Sequence, residues 1–262
     1  MKQFILNLLP RNIYLTLKRW KYKRDNKDNF EKMQSWRTAT FNNGYSYKPF
    51  DDNKAIFVHI PKCAGVSISR ALFGSLAGGH TTFESYLNIF EPRCIENYFK
   101  FTIVRNPWDR LVSAYFFLRR GGFNPDDRDW FNKELGSYES FDDFVKRWLT
   151  KENIWKWHHF RPQYFYMLER REKVSLDFVG FLENIEKDYI HIKKKIGATS
   201  HLQMMNKSKH SAYQKYYSAE TKEIVAEVYA KDIKMLGYNF DNTNLEKQLQ
   251  VRYTKKKYSL RS

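Results

Sequence analysis

The chain has 262 residues, 42% of them hydrophobic and 18% aromatic, and a formal net charge of +17. That apolar content fills the core of one large domain and excludes a disordered chain. Ten Lys/Arg against three acids in residues 1–37, and six with no acid in 247–262, leave only +4 for the 209 residues between. The balanced centre, without a known binding motif, excludes a nucleic-acid-binding core.

The chain opens MKQFILNLLPRNIYLTLKRWKYKR. Asn7, Pro10, Arg11 and Asn12 interrupt the apolar run, so no spanning helix is expected, and no small-residue cleavage site follows it. Ile13, Leu17 and Trp20 recur at helical spacing beside Arg11, Lys18 and Arg19. Two readings fit: a helix lying on an anionic membrane surface, or one packed on its own domain. Residues 21–53 are polar and read as a linker. The chain therefore divides into a basic amphipathic segment and linker (1–53), the domain proper (54–246) and a basic tail (247–262). Solubilising ends of a basic protein would carry the same charge.

Ala55 to Ile60 reads as a buried parallel strand stopped by Pro61, and residues 65–74 as a helix. A second strand, Phe99 to Val104, runs into Arg105-Asn106-Pro107-Trp108-Asp109, where Asn106 suits an N-cap and Pro107 the first helical position. That helix ends at Gly121-Gly122. A further helix is expected around Phe141 to Leu149, a third strand at Leu176 to Phe181, a helix from Glu183 to Ile196 closed by Gly197, and one capped by Ser218 and closed by Gly237. Strands alternating with helices predict a parallel α/β sheet. Cys63 and Cys94 cannot build a disulfide framework and have no metal-ligand spacing, so a reducing compartment is expected.

Two turns carry chemistry. Pro61-Lys62-Cys63-Ala64-Gly65-Val66-Ser67 joins a strand to a helix, and its small residues let the backbone curl around a phosphate or sulfate. Lys62 adds a compact positive charge and Ser67 a hydroxyl; the Walker A order is absent. A tight structural turn is the plain alternative. Arg105 sits at the carboxyl end of the second strand, where open α/β sheets bind ligands, and a guanidinium there grips a phosphate in bidentate fashion. The competing role for Arg105 is a salt bridge to Asp109; Ser113, about two turns into the helix, is a second donor or an ordinary helical serine.

Together FVHIPKCAGVSI and FTIVRNPWDRLVSAY resemble the 5′-phosphosulfate loop and the 3′-phosphate motif of the sulfotransferases that use 3′-phosphoadenosine-5′-phosphosulfate (PAPS). The likeness is greatest to the branch acting on polysaccharides, including heparan uronyl 2-O-sulfotransferases and related bacterial proteins, and covers residues 50 to 240. It implies a P-loop-like three-layer fold whose central, mainly parallel sheet is flanked by helices. Val66 stands where the family commonly has Thr, which removes one hydroxyl contact but leaves those of the backbone at Cys63, Ala64 and Gly65.

By the same likeness Lys62 neutralises the departing 5′-phosphate, Arg105 and Ser113 hold the 3′-phosphate, and Lys207 and Ser208 contact phosphate from the C-terminal part. His80, in Gly79-His80-Thr81-Thr82-Phe83, matches the family's general base; His158, His159 and Glu84 are rivals, and His59 is expected to pack at the strand end. The segments His159 to Gln163, Asp177 to Gly180, Glu183-Asn184 and Asn206 to Ser208 resemble recurring blocks of the bacterial branch. Trp130, Trp148, Trp155 and Trp157, with Arg119, Arg120 and Arg161, could hold a sugar, although at least two of the Trp are expected in the core.

The resulting expectation is a cytoplasmic enzyme that transfers a sulfuryl group to a carbohydrate hydroxyl without a metal. Its N-terminal segment is free to touch an anionic membrane. The alternatives are a nucleotide-dependent kinase with a variant phosphate loop and a non-catalytic membrane- or polyanion-binding protein.

Overall fold

Helices α1 (Arg11–Asp25) and α2 (Lys27–Thr38) open the described part of the computed structural model, which covers residues 9–39, 45–169, 173–202 and 212–254. The linker expected over 21–53 is instead largely helical, and α3 (Lys48–Asn53) completes it. Polar composition conceals these helices because their charges are spent on distant partners. Arg19 pairs with Glu91, and Arg37 grips both Asp51 and Glu91. Tyr14, Leu15 and Phe30 are buried.

Strand β1 (Ala55–Val58) leads to α4 (Gly65–Phe73), α5 (Phe83–Ile89) and α6 (Pro92–Asn97). Strand β2 (Phe99–Val104) then feeds α7 (Pro107–Arg119), followed by α8 (Pro125–Glu134), α9 (Phe141–Arg147) and α10 (Gln163–Met167). Two short strands, β3 (Leu168–Glu169) and β4 (Lys173–Val174), form an antiparallel ribbon. Strand β5 (Phe178–Phe181), α11 (Ile185–Ile196), α12 (Ala219–Val228), α13 (Ala230–Leu236) and α14 (Leu245–Thr254) complete the described order.

The main sheet has the order β1-β2-β5 and is wholly parallel, with Phe57 opposite Phe101 and Ile103 opposite Gly180. Every residue of β1 and β5 is buried, as helices on both faces require. This is the expected α/β fold. Two apolar cores fill it. One surrounds the sheet with α4, α5 and α11; the other gathers aromatic side chains of α7, α8 and α9 with aliphatic ones of α12.

Two expected elements differ. The helix from Ser218 to Gly237 breaks at Tyr229, whose buried hydroxyl donates to the Phe160 carbonyl at 2.7 Å. The tail expected from 247 begins as α14, where Gln248 is buried and its Nε2 donates to the Leu236 carbonyl at 2.8 Å.

Candidate active site

The turn after β1 curls because two of its residues take left-handed backbone angles, Lys62 at φ 68° and Ala64 at φ 59°. Gly65 permits a close approach: a Cβ there would lie 1.8 Å from the His59 ring. The Cys63 thiol faces inward, 3.5 Å from Gln163 Oε1, and burial pushes it up to about 12, so only the backbone of Cys63 is offered to a ligand. Ser67 is buried at the start of α4. Lys62 lies with its Nζ 3.7 Å from the centre of the Phe117 ring. Burial, then Arg105 and Arg120, lowers it to about 7.

The second turn follows β2, the hydrogen-bonded neighbour of β1, so the two turns stand side by side. Asn106 Oδ1 accepts from the Trp108 amide at 3.0 Å and caps α7, with Pro107 in the first turn as expected. Arg105 is 6% exposed and does form the bidentate pair with Asp109, at 2.7 and 2.8 Å. Its Nη1 also donates to the Lys62 carbonyl at 3.1 Å, joining one turn to the other. These bonds use three of the five guanidinium N–H donors and leave two for an anion. Ser113 is buried on α7. Lys207 and Ser208 lie outside the described residues.

His80 packs its ring 4.4 Å from that of His59, and its Nδ1 lies 3.2 Å from the His59 carbonyl oxygen. A carbonyl can only accept, so Nδ1 carries the proton and Nε2 keeps its lone pair. His158 and His159 converge on His80, with ring centres 5.2 and 5.9 Å away. Burial, then His158, lowers His80 to about 4; burial, then Arg161, lowers His158 to about 4. His159 and His59 are held well below the ordinary imidazole value, chiefly by burial. One ring nitrogen from each of His80, His158 and His159 lies within 4.8 Å of the other two, so this trio could hold a metal ion. Glu84 is tied to Lys18 of α1 instead.

Three residues given no role beforehand shape the site. Gln163 accepts from the Arg105 amide at 2.9 Å and donates to its carbonyl at 2.8 Å. Arg110, on α7, donates to the carbonyls of His159 and Arg161 at 3.1 and 2.8 Å and so supports the His158-His159 segment. Asp127 is buried, accepts from Trp157 Nε1 at 3.0 Å and faces His159 Nδ1 at 3.6 Å. A charged residue within the apolar LVSAY helix was the available signal for Arg110; Asp127 had none. Of the tryptophans, Trp148 is core, Trp130 and Trp157 stack at 4.9 Å against the second core, and Trp155 is 38% exposed.

Paired strand–turn–helix units on a parallel sheet, with both turns at the strands' carboxyl ends, define a P-loop-like α/β protein. The chain belongs to the sulfotransferase family, whose model spans residues 46–239. It is 25% identical to carbohydrate sulfotransferase 14 of Danio rerio, over 75% of this chain and 63% of that protein. With carbohydrate sulfotransferase 10 of Mus musculus it shares 24% identity, over 72% of this chain and 65% of that protein. An uncharacterized protein of Archaeoglobus fulgidus is 34% identical over 111 residues, 42% of this chain and 77% of that one. The chain thus spans less than two thirds of the two carbohydrate sulfotransferases. No solved structure matches it.

Proposed function

We propose that this sulfotransferase takes its sulfuryl group from PAPS and delivers it to a hydroxyl of a carbohydrate, either a polysaccharide or a glycolipid. The observation that carries this reading is the Arg105 bond to the Lys62 carbonyl, which ties the two turns together and keeps the guanidinium close enough to the Lys62 ammonium to be felt by it. Lys62 and the backbone of Cys63, Ala64, Gly65 and Val66, with Ser67, cradle the 5′-phosphosulfate. Arg105 and Ser113 hold the 3′-phosphate, and Asp109 fixes the plane of the guanidinium.

The acceptor oxygen attacks sulfur in line as the bond from sulfur to the 5′-phosphate oxygen breaks. The departing electron pair stays on that phosphate, where Lys62 offsets the charge. His80 Nε2 takes the hydroxyl proton. PAPS arrives with its sulfate activated, so the displacement requires no metal.

A carbohydrate acceptor is supported by the names of the two vertebrate relatives. It is supported as well by the aromatic shelf of Trp155 and Phe165, with the Arg161 guanidinium over Phe165, beside His158. The free, buried thiols of Cys63 and Cys94 suit the reducing cytoplasm.

Calorimetric titration with adenosine 3′,5′-bisphosphate tests the donor. Wild type is expected to bind, and both Arg105→Ala and Lys62→Ala to lose at least about ten-fold in affinity, a missing charged contact. A flat titration of folded wild type, or magnesium-dependent transfer of phosphate from ATP, would overturn the assignment.

A further inference from the structure

Helix α1 has two unlike faces. Tyr14 and Leu15 enter the main core, and Arg11, Lys18 and Arg19 are bound to Glu169, Glu84 and Glu91 of the body. The cations that sequence spacing set beside a membrane therefore face the protein. On the opposite side Ile13, Leu17 and Trp20 are 44%, 42% and 58% exposed. At 100° per residue they fall within an arc of about 60°.

Arg24 extends this row, its guanidinium 4.9 Å from the centre of the Trp20 ring. Lys21 and Lys23 flank it, and Lys27 follows the bend at Asn26; all are exposed. Lys21 and Lys27 form no ion pair among the described residues. Three of the eight large hydrophobic side chains that the described chain exposes thus share one row rimmed by positive charge.

Three side chains offer a few hundred Å², well short of the roughly 1,200 Å² that a stable protein interface buries. They do match a bilayer surface. Aliphatic side chains enter the acyl boundary, a tryptophan settles at headgroup level, and cations meet lipid phosphates. We propose that the outer face of α1, formed by Ile13, Leu17 and Trp20 with Lys21, Lys23, Arg24 and Lys27, is a peripheral anchor for an anionic lipid bilayer. No residue of the transfer site takes part, so the anchor holds or fails independently of the proposed chemistry.

The test is cosedimentation of the full chain with phosphatidylglycerol–phosphatidylcholine vesicles, beside phosphatidylcholine vesicles alone. Wild type should bind the anionic vesicles, and I13S/L17S/W20S should bind them at least about ten-fold more weakly while keeping its melting temperature. Lys21→Glu with Lys27→Glu should weaken anionic binding and leave what remains less sensitive to salt. Anionic binding unchanged in the triple serine variant would reveal a charge-only polyanion surface and overturn the anchor. So would wild type that ignores vesicles, or a concentration-dependent dimer that the same variant abolishes.

Discussion

His80 and Lys62 have to be in opposite protonation states for the proposed transfer, and burial arranges both near neutrality. His80, lowered to about 4, accepts a proton only when neutral, so activity rises with pH through about 4. Lys62, lowered to about 7, offsets charge only when protonated, so activity falls as pH climbs through about 7. The kcat/KM profile of free enzyme should therefore be a bell between those values. An acid limb at the ordinary imidazole value would count against buried His80 as the base. His80→Ala should lower turnover about a hundred- to ten-thousand-fold while nucleotide affinity stays nearly unchanged. The family resemblance singled out His80, but did not bring its two imidazole neighbours together as a group. That convergence depends on Arg110 folding residues 159–161 back across the chain.

Helix α7 shows how one element serves both packing and site. Its start was legible because Asn106 and Pro107 are local signals, and its end because Gly121 and Gly122 adopt φ 97° and 66°. Its buried Arg110 answers carbonyls some fifty positions away, which no local pattern encodes. Replacing Arg110 with Met keeps the volume but strands those carbonyls, and should cost about 3 kcal/mol. The midpoint of urea unfolding reads this directly, and an unchanged midpoint would mean that other bonds hold the segment. Helical spacing marked the start of α1, whereas α2 escaped notice for a related reason. Its Arg37 pairs with Asp51 and Glu91 of later segments, so in sequence the helix looks only polar. The break at Tyr229 likewise depends on the distant Phe160 carbonyl.

Across the molecule, four imidazoles have folded values below the ordinary 6.5, two of them near 4. Between those limits these histidines bind more protons in the unfolded chain than in the folded one, so their contribution to stability is full above about 6.5 and declines as pH falls toward 4. The melting temperature should drop between pH 7 and pH 5, and less steeply in His158→Asn; equal slopes would place the acid sensitivity elsewhere. The sheet and its two turns were readable because strand runs and punctuation are short-range, whereas the meeting of two cores is not. Lys62 belongs to the first core's turn yet rests on Phe117 of the second, and Gln163 holds Cys63 and Arg105 together. The reacting groups thus straddle a seam, and their alignment is only as firm as the few side chains stitched across it. A substitution deep in either half, touching no ligand, can slacken the grip on sulfate simply by letting the halves slip.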